Sequence, residues 1–570
     1  MPKSLSILFL ALFALSCRAQ EPLPSWNGNG QTAWWAKNPS PGQWPQAADA
    51  LQAELEAAYK QTGASAFSNS DFQGWMEHLE WIRLGLDCPD VLADADNLKA
   101  FVALGKDESL SHLFVEKMAP RNVKKKALQN LLRLAQANAD DLHEYAALGV
   151  AFSLVFDKPF PRDWPHHQVQ QSAVPIGDLD IVQRFHFYVQ SNRDKKLDLD
   201  PTQLSFESLK FLVDSEVKLS ELEYAQQNRI SYSSFADAFF AIRYDESRAQ
   251  SGNFAFDWNF PTYRLADIET NGGICVDQAY YASLLGKGRG IPTIYFHGQG
   301  AGGGHAWFGY RSRSGKWELD CGRYASQNYP KGYALDPQTW QAIDDTLLAN
   351  LFKTGERDPH YQPAQNALAW AWLHKADPSC KKILDDARSI MPELAETWKM
   401  EAAVIENSNT GDDDKKTFYQ DWITQFSSFP EMKVEGQRRL LEVLKKATDP
   451  GAESLQQDIV LENRSSGFDM GIQGAHDAIM AKVQAGDWDG AHLEYEKTIR
   501  DFGDQGGGTL YYGVISPYVQ ACLKEGHIDQ AANAIRFAED RVAMSQDSII
   551  GDEFGKLKGK VGDLKRSSAQ

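Results

Sequence analysis

Six cysteines in 570 residues, at positions 17, 88, 275, 321, 380 and 522, are too few and too scattered for a disulfide framework. None falls in a CxxC pair or in a Cys/His cluster with zinc spacing. Basic charge is scarce as well: 58 Lys and Arg face 77 Asp and Glu, a formal charge of −19. The acidic excess is spread along the chain, which serves solubility and argues against non-specific binding to DNA or RNA. Beyond the first twenty residues no apolar run is long enough to cross a bilayer. There is no P-loop and no dinucleotide fingerprint after a strand, so no metal or nucleotide cofactor is implied.

What is present supports packed interiors in more than one domain: 43% of residues are hydrophobic, with 16 Trp and 29 Phe. Residues 1–20 read as a signal peptide, with Lys3 ahead of an apolar run from Leu5 to Leu15. Two processing routes are open. Ala14-Leu-Ser-Cys17 resembles a lipoprotein box, which would lipidate Cys17, whereas Cys17-Arg-Ala19 would suit ordinary cleavage. An exported protein is expected: periplasmic, secreted, or held at the envelope by a lipid as its sole membrane contact. With Cys17 lost or lipidated and Cys275 kept as a working thiol, Cys88, Cys321, Cys380 and Cys522 remain available to pair, and nothing specifies which.

The expected fold class is multidomain and mainly α, with one α+β core carrying an antiparallel sheet. Helical spacing dominates residues 21–250, as in Ala47 to Tyr59, Val123 to Ala137, Leu142 to Val155, Ser215 to Ala225 and Ser234 to Arg243. Asn138 and Asp140-Asp141 supply a cap signal. His166-His167, in a Pro- and Trp-marked loop, reads as ordinary surface because no ligand partner sits at metal spacing. Residues 251–350 turn Gly-rich, aromatic and alternating. Residues 351–570 return to helices, where 478–491 echoes 518–531. In each, a Gly ends a helix (Gly486, Gly526), an Asp opens the next (Asp489, Asp529) and an Ala allows close packing (Ala491, Ala531). These hairpins weakly resemble tetratricopeptide-type repeats, which implies a protein partner on that array. Residues 407–415 look a little like a calcium loop but lack its Gly and Glu, and read as a solvated linker.

The central stretch carries the chemistry. Gly272-Gly273 precede Cys275, and Val276 to Lys287 is a helical run, so Cys275 opens a helix where free amides and the dipole favour a thiolate. Asp277, in the first turn, reads as a dipole partner, and Gln278 faces away from Cys275. Ile291 to His297 reads as a strand. After a Gly-rich loop, His305-Ala-Trp-Phe-Gly-Tyr310 alternates, with His305, Trp307 and Gly309 on one face. A four-residue turn at Ser312–Gly315 would pair Arg311 with Lys316, set Gly322 opposite His305 and make Asp320 its diagonal neighbour. Cys275 would then be the nucleophile, His305 the base and Asp320 the orienting acid. The Cys275 N–H offers one oxyanion donor. Trp258 is the expected second donor, with Tyr263 behind it. Gly272, Gly273 and Trp307 are expected to line substrate access.

Gly273-Ile-Cys275, His305-Ala-Trp307 and Trp317-Glu-Leu-Asp320, joined by Gly290-Ile-Pro292, resemble the transglutaminase-like superfamily, a branch of the papain-like thiol fold. The resemblance covers about 95 residues. It implies a papain-like core, no cofactor and a protein or peptide substrate. The activity it implies is hydrolysis or deamidation of peptide-like amides through an acyl-enzyme. Acyl transfer to amines (cross-linking) and a non-catalytic scaffold that binds through its helical flanks are the alternatives. Cys321, directly after the Asp, is a departure from the pattern: either inert or a redox partner of Cys275.

Overall fold

The computed structural model describes residues 28–568, except 39, 120, 163, 167, 170–171, 178, 252–261, 301–302, 324–331, 355–357, 463–467 and 543–548. Helices dominate these residues and surround one five-stranded antiparallel sheet. Its strands are β1 (Thr293–Gly300), β2 (Gly303–Arg311), β3 (Trp317–Cys321), β4 (Tyr333–Leu335) and β5 (Ala342–Asp344), in the order β3-β2-β1-β4-β5. None of the described helices is long and apolar enough to cross a membrane.

Three of the expected helices form close to their predicted limits, at Trp44–Thr62, Lys124–Ala137 and Cys275–Gly288. The run from Leu142 to Val155 is broken at Tyr145, giving Ala139–Glu144 and Ala146–Val155, and the Asn138 side chain caps the first by accepting from Asp141 N–H. Ser234 to Arg243 instead forms a tighter 3₁₀ segment, Tyr232–Ala241. Its aromatic residues are placed by contact with the sheet: Phe235 meets Phe308 and Tyr310, so tertiary packing outweighs local spacing. Residues 215–217 precede their helix, and Val217 bridges to Ile176.

A single apolar interior runs from Trp35 to Met400 and takes in the sheet, so the divisions drawn at 250 and 350 cut through elements that share one core. Among the described residues, the two larger of four further clusters lie within residues 395–443 and 472–561. The repeat signals hold at the level of turns. Gly486 and Gly526 adopt φ of 75° and 83°, and Ala491 and Ala531 are fully buried. Asp489 and Asp529 lie in the first turns of their helices, and Asp487 caps the first of these by accepting from Gly490 N–H at 2.9 Å. Asp412, Asp413 and Asp414 do not lie in a linker; they open the helix Asp412–Gln425, where acidic groups suit the dipole. The long helix Trp488–Leu510 reaches β1 and β2, so the C-terminal array touches the hairpin that carries His305.

The five described cysteines, Cys88, Cys275, Cys321, Cys380 and Cys522, are all unpaired and buried. No disulfide joins the four that were available to pair. They behave as small apolar groups within the packing.

Near the N-terminus His78 is fully buried against Trp34, Trp35 and Trp75, with ring centroids at 4.9, 5.7 and 5.8 Å. Burial, helped by nearby His112, pushes its imidazole down to about 3. The unfolded chain therefore binds a proton at this position below about pH 6.5 that the folded chain refuses. The stability contributed is complete above that pH and falls away as pH drops towards 3. Urea unfolding of the wild type should lose up to about 1.4 kcal/mol per pH unit across this window through His78. His78→Leu should flatten that part of the profile and leave the slope above pH 7 unchanged. Parallel profiles would refute the assignment.

Candidate active site

All fourteen residues of the Cys275–Gly288 helix are buried. It packs on β1 and β2, and its small residues let neighbours approach closely. A Cβ on Gly286 would lie 2.2 Å from Thr293 Cγ2, and one on Gly288 would lie 2.5 Å from Ala225 Cβ. Cys275 is the first residue of this helix, as the sequence pattern predicts. Backbone N–H donors of Ala306, Val276 and Cys275 itself favour its thiolate. Burial nevertheless dominates. It pushes the thiol up to about 11, against those three donors and with the charge of Asp277 adding to the rise. The resting group is therefore a thiol rather than a thiolate.

The sulfur thus meets β2 one residue from His305. Thr293 donates its hydroxyl to Ser283 O on the helix at 2.7 Å and pairs with Tyr310 across the sheet. Alternation then puts Ala306, Phe308 and Tyr310 on the helix side of β2, and His305 and Trp307 on the other. Cys275 meets the strand through a backbone N–H that points along the sheet, past the last β2–β3 pair, Phe308 with Cys321. His305 Nε2 lies 2.7 Å from the Gly322 carbonyl. A carbonyl only accepts, so Nε2 carries the proton and Nδ1 is the basic nitrogen. Burial lowers the pKa of this imidazole below the usual 6.5, opposed by the Gly322 contact.

Asp320 is not where the expected hairpin register would put it. The turn has three residues, Arg313 to Gly315, closed by Ser312 N–H to Lys316 O at 2.7 Å, with Gly315 at φ 79°. Arg311 therefore pairs with Trp317, and Tyr310 with Glu318. A bulge then sets both Leu319 and Asp320 against Gly309 before Cys321 pairs with Phe308. Asp320 is turned out, its side chain 70% exposed, and binds Arg323 at 2.8 Å. The Gly322 carbonyl, rather than Asp320, meets His305 Nε2. Cys321 is buried and unpaired, and its thiol is pushed up to about 12 by burial.

The expected access residues are also placed otherwise. Trp307 is fully buried, donates its indole N–H to Leu319 O at 3.0 Å, and stacks between Phe296 and His305. Gly272 and Gly273 do admit a close backbone, but it is the chain's own. Gly273 N–H donates to Arg243 O at 3.0 Å, and Asp245 N–H donates to Gly273 O at 2.9 Å. Gly272 holds φ 80°, where any Cβ would meet Arg243 O at 2.5 Å. Trp258 and Cys17 lie outside the described residues. Tyr263 is committed elsewhere: its hydroxyl donates to Asp277 Oδ1 at 2.5 Å and lies 2.9 Å from His166 Nε2.

That contact belongs to a buried chain that sequence spacing did not reveal. Asp277 Oδ2 accepts from Ile274 N–H at 2.7 Å and from Arg248 Nη1 at 2.8 Å. Only the Ile274 contact is local, and an acidic residue in the first helical turn is its signal. Arg248 and His166 lie far off in sequence, and His166, read as surface, is 6% exposed and packed against Tyr263, Tyr280 and Tyr295. Gln278 donates to Ile242 O at 2.8 Å, a structural contact away from the sulfur.

No family model, curated protein or solved structure matches this chain. The chemistry of the site therefore rests on its own geometry.

Asp320→Asn is expected to leave the NMR titration midpoint of His305 in place and to change the rate of Cys275 alkylation by less than about twofold. An exposed ion pair such as Asp320–Arg323 contributes about 1 kcal/mol at most. A His305 midpoint displaced by a full pH unit would show instead that Asp320 reaches the imidazole.

Proposed function

We propose that this chain is an exported, cysteine-dependent hydrolase of peptide-like amide bonds, resembling the transglutaminase-like superfamily in its central core. The observation that supports it best is the placement of Cys275 as the first residue of a buried helix packed on β1 and on β2, the strand that carries His305. A helix N-terminus with unpaired amides suits an attacking thiolate and, one bond later, the oxyanion that its attack creates.

In this reading His305 Nδ1 takes the Cys275 proton as sulfur bonds to the carbonyl carbon, and the carbonyl π electrons move to oxygen. The amide N–H of Cys275 stabilises that oxyanion. The C–N bond then breaks, the amine leaves with the proton from His305, and a thioester remains. Water, deprotonated by the same nitrogen, attacks the thioester and releases a carboxylic acid and the free thiol. Gly322 O fixes the imidazole tautomer but, being uncharged, stabilises the imidazolium less than a carboxylate would. An amine in place of water would give acyl transfer, the cross-linking outcome.

A second reading, a non-catalytic scaffold that binds partners through its helical flanks, is favoured by the outward Asp320 and the raised thiol. The two differ in one assay. Cys275→Ala should reduce hydrolysis of a peptide-amide library by about 10³-fold or more while leaving the fold intact. A thiol-directed acyl probe should label Cys275 faster than a cysteine in the denatured chain. Labelling no faster than that, with no turnover lost in Cys275→Ala, supports the scaffold. Adding a primary amine to an active reaction then separates hydrolysis from cross-linking by the product formed.

A further inference from the structure

Asp277 is fully buried two residues from Cys275, and three donors converge on it: Ile274 N–H, Arg248 and the Tyr263 hydroxyl. The Ile274 contact holds the residue that precedes the nucleophile. The Arg248 contact is a fully desolvated ion pair, with side-chain exposures of 3% and 0%. Such a pair costs more to desolvate than a hydrogen-bonded neutral pair of the same shape, so a purely structural cap has no need of its charges. One of those charges lies in the first turn of the helix, where it opposes a thiolate on Cys275; the other offsets it from the segment Glu246–Ser251.

We propose that Asp277, held by Arg248 and Tyr263, is a positioning residue for Cys275, fixing the first turn of its helix and governing how readily the sulfur loses its proton. The proposal rests on reading Cys275 as the reacting thiol, but not on any particular substrate. Of the titratable and charged groups on the packed elements, Asp277 on its own helix and Tyr295 on β1 act on the sulfur directly, while Arg248 on Glu246–Ser251 and Tyr263 ahead of Leu265–Asn271 act on Asp277; His305 on β2 and Cys321 on β3 belong to the neighbouring strands. Of these, Asp277 and Arg248 form the ion pair. His166 closes the chain behind Tyr263 and stacks on Tyr295, linking the same network to the wall beside the sulfur.

The test is the pH profile of iodoacetamide alkylation of Cys275 in the full-length protein, followed by mass spectrometry of the Cys275 peptide. Removing the negative charge favours the thiolate, so Asp277→Asn should move the midpoint down by about one pH unit. That corresponds to about a tenfold faster reaction below the midpoint. The double variant Asp277→Asn with Arg248→Gln keeps a hydrogen-bonded pair but removes both charges, and should fall between the single variant and the wild type. Superimposed profiles, or an upward shift in Asp277→Asn, would overturn the proposal. A fall in thermal midpoint without any shift in alkylation midpoint would reduce Asp277 to a helix cap. If Asp277→Asn does not fold, the double variant decides alone: a midpoint about half a unit below wild type supports the proposal, and coincidence with wild type refutes it. Absence of any peptide hydrolysis by the wild type, with the alkylation shift intact, would refute the hydrolase reading and leave this one standing.

Discussion

A helix buried along its whole length cannot send its terminal N–H and C=O groups to water, and the centre of this molecule is organised around that constraint. At the Cys275 end, Asp277 receives Ile274 N–H and is itself held by Arg248 and Tyr263. At the other end, Tyr188 donates to Lys287 O at 3.1 Å, while the Lys287 ammonium donates to Phe211 O at 2.7 Å and Thr293 O at 3.0 Å and pairs with Asp214. Arg289, just beyond, binds Asp198 and Ile230 O. Each terminus thus gathers segments distant in sequence. The N-terminal helices, the helix Phe206–Val213 and β1 are brought together by the need to satisfy one helix.

The same constraint shapes the chemistry. A thiol at a buried helix start gains amide donors but loses solvent, and here the loss outweighs the gain. His305 is likewise drawn below its ordinary range by burial. Burial thus disfavours the charged form of both groups. A buried thiol of this kind responds to a fixed charge nearby, and the Asp277 carboxylate, paired with Arg248, is such a charge.

The arrangement beside β2 follows from a small feature of the backbone. One added residue in β3 and a three-residue turn displace Asp320 from the inner face, and the Gly322 carbonyl takes the place beside His305. A spacing of Trp, two residues and Asp looks complete in the primary structure, yet a single bulge reverses the direction of its last side chain. Trp307 shows the converse. Its position next to His305 suggested an access wall, but a large aromatic ring between two others gains more from burial than from exposure.

What the amino-acid order determined by itself was local: the helix that begins at Cys275, the strand that carries His305, the Gly-terminated repeat helices and the predominance of α structure. These depend on periodicity, caps and turn residues within a few positions of one another. Only the tertiary structure decided the rest. It joined three stretches of helix and sheet into one interior from Trp35 to Met400, placed Asp320 in solvent, and brought Arg248, Tyr263 and His166 behind the candidate nucleophile. Register across a turn depends on a single residue, and a buried carboxylate takes its partners from wherever the packed chain supplies a donor. Neither property is written in local spacing.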